Sequence, residues 1–225
     1  MGAPTIVFDL DGTLIDTAPD LIDTLNAILS RHHLAPIPFE ASRMMIGAGV
    51  RPLLLRGLAS KGIKLPPEQV DQLFAEFLDI YAAHIADRSR PFPGLERALG
   101  ALSAEGCRLA VCTNKLEWLS VKLLNELGLA SLFVAICGQD TFTMRKPDPE
   151  MLRLTIARAG GDTGHAVMVG DSITDVATAR AAGVPVIAVD FGYTEISPKE
   201  LGADRLISHF DELPAAVMEL VSVQS

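Results

Sequence analysis

No apolar run in this sequence approaches the roughly 18 residues that a membrane-crossing helix needs, and no basic segment precedes an apolar one near its start. Neither a membrane partner nor export is expected, and the chain is read as cytoplasmic. Cysteine is scarce: Cys107, Cys112 and Cys137 are odd in number, widely spaced and set in or beside apolar runs. That pattern belongs to reduced core thiols rather than to disulfides or a zinc site. His32, His33, His84, His165 and His209 match no metal-ligand spacing and read as surface or satisfied core residues. Positive charge is outnumbered, 19 Lys and Arg against 28 Asp and Glu, and the net charge of −9 argues against nucleic acid or an anionic membrane as partner. Trp118, the only tryptophan, lies at helical spacing from Val121 and Lys122 and takes packing as its default role. Internal repeats and low-complexity tracts are missing too. With 49% hydrophobic and 21% charged residues there is no case for disorder. The 225 residues suffice for one sizeable core, or for a core domain plus a smaller one.

What is present starts with Thr5 to Leu14, TIVFDLDGTL. Thr5-Ile6-Val7-Phe8 is β-branched, aromatic and uncharged, which predicts a strand buried on both faces, as in a parallel sheet. It delivers Asp9 and Asp11 into a turn where Gly12 permits backbone conformations that other residues resist. Two carboxylates so close repel, so either a cation sits with them or one keeps its proton. A helix cap or an Asx-turn explains one Asp near Gly, but not two followed by Gly-Thr. Chance gives D-x-D-G-T on the order of once in a thousand chains of this length, at equal residue usage.

Asp16 to Asp20 opens the first helix, where Thr17 and Asp20 have capping-box spacing and Pro19 suits a first turn. Apolar residues then recur at helical spacing, as in Leu21, Leu25, Ile28 and Leu29, and again in Val70, Leu73, Phe77 and Tyr81. No strand is convincing between Asp16 and Pro91, where P-F-P-G punctuates the chain. Beyond it, helices near 95–104, 117–127, 149–159, 175–182 and 211–221 separate strands near 108–112, 133–137, 166–169, 186–189 and 205–207. Such alternation predicts an α/β fold with a doubly wound, mostly parallel sheet. An all-helical insert of this length is too long for a loop, which divides the chain into a core domain of residues 1–16 and 91–225 and a helical domain of residues 17–90.

Three later segments repeat the opening logic. Leu109 to Cys112 runs into Thr113-Asn114-Lys115, where a hydroxyl, an amide and backbone N–H groups before a helix can hold phosphate oxygens, although Thr-Asn is also ordinary turn chemistry. Lys146-Pro147-Asp148-Pro149 sets a cation before a helix start, equally the place of an exposed lysine. Val167 to Asp175 places Gly170, Asp171 and Asp175 at a strand end, with the two carboxylates one helical turn apart, and Asp175 alone would pass for a helix cap.

Together these segments resemble the haloacid dehalogenase superfamily, most of whose members are Mg²⁺-dependent phosphatases working through an aspartyl phosphate. The resemblance covers residues 1–16 and about 91–210, with all four motifs in order. It implies that Asp9 attacks phosphorus, that Asp11 acts as acid and base, and that Thr113, Asn114 and Lys146 cradle the phosphate. Asp9, the Asp11 backbone carbonyl and Asp171 would bind Mg²⁺, while Asp175 would hold the ligands rather than the ion. It also implies a Rossmann-like core with the first strand central, between the strands ending at Thr113 and Asp171. The helical insert would be a cap closing over the site. A dehalogenase would lack Asp11, and a P-type pump would need membrane spans.

The partner implied is a small phosphorylated metabolite. In the insert, Ile46-Gly47-Ala48-Gly49-Val50-Arg51 is a small-residue loop followed by a cation, equally readable as a helix C-cap with a surface arginine. With F-D-L-D-G-T-L-x-D at the start and Asp190-Phe191-Gly192-Tyr193-Thr194, it is similar to bacterial phosphoglycolate phosphatases, which implies that Arg51 meets the carboxylate of a short anionic ester while Gly47 lets the backbone come close to it. β-Phosphoglucomutase and inorganic pyrophosphatase are the alternatives within enzymes. Outside them stands a retired phosphate-binding interaction domain, disfavoured because Asp9, Asp11 and Asp171 are all present.

Overall fold

The computed structural model describes residues 2–43, 45–47, 49–194 and 196–223. The chain opens with β1 (Thr5–Phe8) and the short β2 (Ile15–Asp16), followed by α1 (Ala18–Arg31), α2 (Phe39–Arg43), α3 (Val50–Ser60) and α4 (Pro67–Ala83). It returns through β3 (Arg90–Pro91) and then alternates: α5 (Leu95–Ala104), β4 (Arg108–Cys112), α6 (Glu117–Glu126), β5 (Ala135–Cys137), α7 (Pro149–Arg158), β6 (Ala166–Gly170), α8 (Ile173–Ala182), β7 (Val186–Val189), β8 (Arg205–Ile207) and α9 (Leu213–Val223).

Six parallel strands form one sheet in the order β5-β4-β1-β6-β7-β8. The doubly wound α/β sheet expected from the alternation is the one observed, with β1 central and the winding direction reversing beside it. Its strands read as apolar runs because both faces are covered. Ile6, Phe8, Val111, Val169 and Ile187 enter one apolar cluster, while the intervening Val7, Ala110, Met168, Val186 and Ala188 enter the other. That is the period-2 alternation of a pleated strand, with core on either side. Phe8 is level with Val111 of β4 and Val169 of β6, so Asp9 stands at the same height as Cys112 and Gly170. Chemistry carried just past these strand ends is therefore brought to one edge of the sheet.

Element ends differ where local chemistry outweighs periodicity. β5 starts at Ala135 rather than Phe133, whose ring packs edge-on against Phe8 at 6.3 Å. α8 starts at Ile173 because Ser172 and Asp175 form a reciprocal capping box. The capping box expected of Thr17 and Asp20 does not form. The Thr17 hydroxyl donates to Asp11 Oδ1 at 2.8 Å, a charged acceptor. The Asp20 carboxylate instead accepts from the Arg88 and Ser89 amides and the Ser89 hydroxyl, tying the start of α1 to the segment that leaves the insert. Beside it, β2 and β3 pair antiparallel over two residues each, a pairing too short to show in any periodicity.

The insert shares its apolar packing with the sheet: Leu21, Leu25, Leu54 and Phe77 lie in the same buried cluster as Phe8 and Val111. Trp118 is not packed; it faces solvent on α6, with Leu119, Ser120, Leu123 and Leu124 taking the buried face. Cys107, Cys112 and Cys137 are buried and unpaired. Among the described residues no helix is long and apolar enough to cross a membrane.

Candidate active site

Asp9 leaves β1 with its amide donating to Val169 O at 2.9 Å, so the strand ladder continues through the residue that carries the carboxylate. Gly12 follows in the left-handed region at φ 84°, and a Cβ there would lie 2.5 Å from Asp171 Oδ2. Only glycine serves that position, on both counts. Thr13 Oγ1 donates to Asp171 Oδ1 at 2.9 Å and the Tyr193 amide to Oδ2 at 2.6 Å. Gly192 provides the other half of the slot, since a Cβ there would stand 2.2 Å from Asp171 Cβ. The turn after β1 and the loop after β7 thus grip Asp171 from two sides.

The buried Lys146 ammonium lies 2.9 Å from Asp9 Oδ1 and 2.6 Å from Asp175 Oδ1. The Asp9 contact is an ion pair without hydrogen-bond geometry, and Oδ1 has no hydrogen-bond partner. Asp175 Oδ2 accepts from the Asp171 and Ser172 amides and the Ser172 hydroxyl, so its carboxylate is fully committed. Burial pushes the Asp9 carboxyl up to about 6 against the pull of Lys146, with Asp175 and Asp11 adding repulsion. Burial, then the charges of Asp175 and Asp9, push Asp171 up to about 8. Burial lowers the Lys146 ammonium, but Asp175 and Asp9 together hold it well above its ordinary value.

Among the described residues, the one group of three or more candidate metal ligands is Asp9, Asp171 and Asp175, whose nearest oxygens lie within 4.8 Å of one another. Hard anionic oxygens at that spacing, with carboxyls that resist ionising without a counter-charge, fit a divalent cation of the Mg²⁺ type. Asp175 is already saturated, which leaves Asp9 and Asp171 as the carboxylates to hold it. The Asp11 carboxylate is not in the group. It accepts from Thr17 and from Lys115 Nζ at 3.0 Å, so only its backbone carbonyl remains for a metal.

Asp9, Asp11, Thr113 and Asn114 line a cavity of about 20 Å³ closed from the insert side by Gly47 and Gly49 and the apolar Leu21, Ile46, Val50 and Leu53. That volume holds about one water molecule. The insert approaches closely: a Cβ on Gly49, at φ 94°, would meet the Asn114 carbonyl at 3.0 Å. Asn114 Nδ2 donates to the Lys146 carbonyl at 3.2 Å, joining two of the motif segments, while its Oδ1 is buried without a partner. Asp9, Asp11, Thr113, Asn114, Lys146, Asp171 and Asp175 are thus brought together, and Gly47 reaches them from the insert. Arg51 is not. Its guanidinium pairs with Asp71 at 2.5 Å and stacks over Phe74 at 4.7 Å, on an exposed face of the insert. Sequence reasoning passed over Lys115, which lines the cavity and pairs with Asp11; its one signal was its place at the end of T-N-K after a predicted strand.

A buried aspartate at the end of a central parallel strand, a lysine between two aspartates and a helical insert closing over that sheet edge define a class of enzyme. Residues 6–189 match the model of the haloacid dehalogenase-like hydrolases, and the chain belongs to that family. The phosphoglycolate phosphatase of Caulobacter vibrioides is 47% identical over 222 residues, covering 99% of this chain and 94% of the relative. That of Mesorhizobium japonicum is 48% identical over 219 residues, covering 97% and 96%. Among solved structures, a predicted phosphoglycolate phosphatase from Haemophilus somnus is 27% identical with a TM-score of 0.89, over 95% of this chain and 97% of that one. The chain stands on the phosphatase branch of its family.

Proposed function

We propose that this chain hydrolyses 2-phosphoglycolate to glycolate and phosphate, with Mg²⁺, through an aspartyl phosphate on Asp9. The observation that carries the reading is the pairing of two differently placed carboxylates: Asp9 beside a buried ammonium, and Asp11 facing the cavity two residues later. An Asp9 oxygen attacks phosphorus as the ester oxygen departs, and Asp11 gives that oxygen its proton. Water then attacks the phosphorus of the aspartyl phosphate, Asp11 takes the proton of that water, and phosphate leaves with Asp9 restored. Lys146 holds Asp9 in place and offsets the charge of the phosphoryl oxygens, with Thr113 and Asn114 at the adjoining strand end. Bound by Asp9, Asp171 and the Asp11 carbonyl, Mg²⁺ would neutralise phosphoryl charge.

The names of the relatives support a short ester. In this reading residues 17–90 act as a cap over the core of 1–16 and 91–225, opening at the β2–β3 pair to admit substrate. The test is phosphate release from 2-phosphoglycolate, β-glucose 1-phosphate, pyrophosphate and several sugar phosphates, with Mg²⁺ and with EDTA, in wild type and Asp9→Asn. Release that needs Mg²⁺, peaks on 2-phosphoglycolate and is lost in Asp9→Asn is expected. A sugar-centred profile overturns the substrate, and activity surviving Asp9→Asn overturns the mechanism.

A further inference from the structure

Lys115 has a coordination that the mechanism above does not use. Its side chain is 1% exposed, and its Nζ lies 3.0 Å and 3.3 Å from the two oxygens of Asp11. The same nitrogen donates to the Tyr81 hydroxyl at 2.7 Å and stands 4.5 Å from the centre of that ring. An ammonium has three N–H donors, and here they reach the two Asp11 oxygens and Tyr81, the 3.3 Å contact to Asp11 Oδ2 being the longest of the three. Lys146, by contrast, is flanked by two carboxylates. Among the described residues lining the small cavity Lys115 is the one cation, and those from the insert are apolar or glycine. A buried cation with one long, replaceable contact, at a cavity whose insert side offers it no polar partner, can exchange that contact for an anion.

The position of Asp11 sets how long that anion can be. To protonate the ester oxygen, Asp11 must come within about 2.6–3.2 Å of it. In a glycolate ester the carboxylate oxygens lie about 3 Å from the ester oxygen, one methylene away, by ordinary bond lengths. Lys115 Nζ, 3.0 Å from Asp11 Oδ1, is then within reach of the carboxylate of the same molecule. We propose that Lys115 is the specificity residue of this site, the donor that reaches Asp11 Oδ2 turning to the carboxylate of the leaving group while Asp11 Oδ1 and Tyr81 hold the ammonium in place. The proposal rests on the phosphoglycolate reading and supplies the carboxylate partner that Arg51, paired with Asp71, does not.

The experiment compares kcat/KM on 2-phosphoglycolate with kcat/KM on ethyl phosphate, which has a methyl group in place of the carboxylate, in wild type, Lys115→Met and Lys115→Gln. Wild type is expected to favour 2-phosphoglycolate. Loss of a charged hydrogen bond should lower that preference roughly 10- to 100-fold in the variants, mostly through KM. If Lys115 only positions Asp11 and Tyr81, both substrates fall by one factor and the preference survives in the variants. That result overturns the assignment and leaves the substrate reading standing. Should neither variant fold, glycolate and ethanol as inhibitors of wild type decide: inhibition by glycolate alone is expected, and equal inhibition overturns the proposal. A wild type that hydrolyses both esters equally well overturns the substrate reading itself.

Discussion

Lys146 is the residue whose loss the site tolerates least. It is buried between Asp9 and Asp175, and breaking such a pair from the cationic side leaves carboxylates in the interior without a counter-charge. Lys146→Met should therefore cost about 3–5 kcal/mol of stability, as well as abolish phosphate release. Urea unfolding of the variant measures the first, and an unchanged midpoint would show that Asp175 is held by Ser172 and the neighbouring amides alone. The same residues mark what could be read in advance at this scale. Asp11, Asp171 and Lys146 each stood beside glycine or proline at a strand or helix boundary, and Asp9 at a strand end two residues before Asp11, local patterns with a chemical reason. Lys115 had no such marker, since its meaning depends on Tyr81, which is 34 positions away on α4. Arg51 looked apt in the chain and is turned outward because Asp71 and Phe74, on the next helix, offer it a charge and a ring.

Among the elements, the loop after β7 connects more of the molecule than its length suggests. The Tyr193 amide holds Asp171, and the Tyr193 hydroxyl donates to Asp16 Oδ1 at 2.5 Å while accepting from the Ala18 amide at 2.9 Å. Arg43 of α2 lies over the Tyr193 ring at 5.2 Å and donates to the carbonyls of Phe191 and Gly192. One loop thus touches a metal-ligand candidate, the start of α1 and the outer part of the insert. Tyr193→Phe leaves the Ala18 amide, at the first turn of α1, without its acceptor, which costs about 1–3 kcal/mol. For a chain of this size the melting temperature should drop by roughly 2–4 °C per kcal/mol. Turnover should fall with it, because Asp16 and Ala18 sit where the insert leaves the core. A variant that melts and turns over like wild type would mean that the β2–β3 pair fixes this junction unaided. The long helices and the parallel strands followed from periodicity, whereas β2 and β3 did not: two residues carry no period, and their pairing depends on residues some 75 positions apart.

At the scale of the whole molecule the family resemblance implied a central β1 between the strands that end before Thr113 and Asp171, and β1 does lie there, whereas the order of the outer strands was not read. Periodicity specifies faces but not distances, so the closeness of the insert, and the cavity it leaves, could not be read. The convergence has an electrostatic consequence for the folded chain as a unit. Asp9 and Asp171 carry carboxyls raised to about 6 and about 8, against 3.8 for an unperturbed one. Between pH 4 and 8 the folded chain binds more protons than the unfolded chain at these two positions, so their contribution to stability falls as pH rises across that window. Lys146 adds no slope there, because its raised value lies above the window and its contribution is full throughout. Without metal the penalty should reach on the order of a few kcal/mol by pH 8. A divalent cation competes with those protons for the same oxygens, and a ligand that binds only the folded chain stabilises it. Thermal melts with Mg²⁺ and with EDTA at pH 5 and pH 8 should therefore show a much larger gain from Mg²⁺ at pH 8. An equal gain at the two pH values would mean that the ion binds away from Asp9 and Asp171, and the raised carboxyls would then be a property of the buried cluster alone.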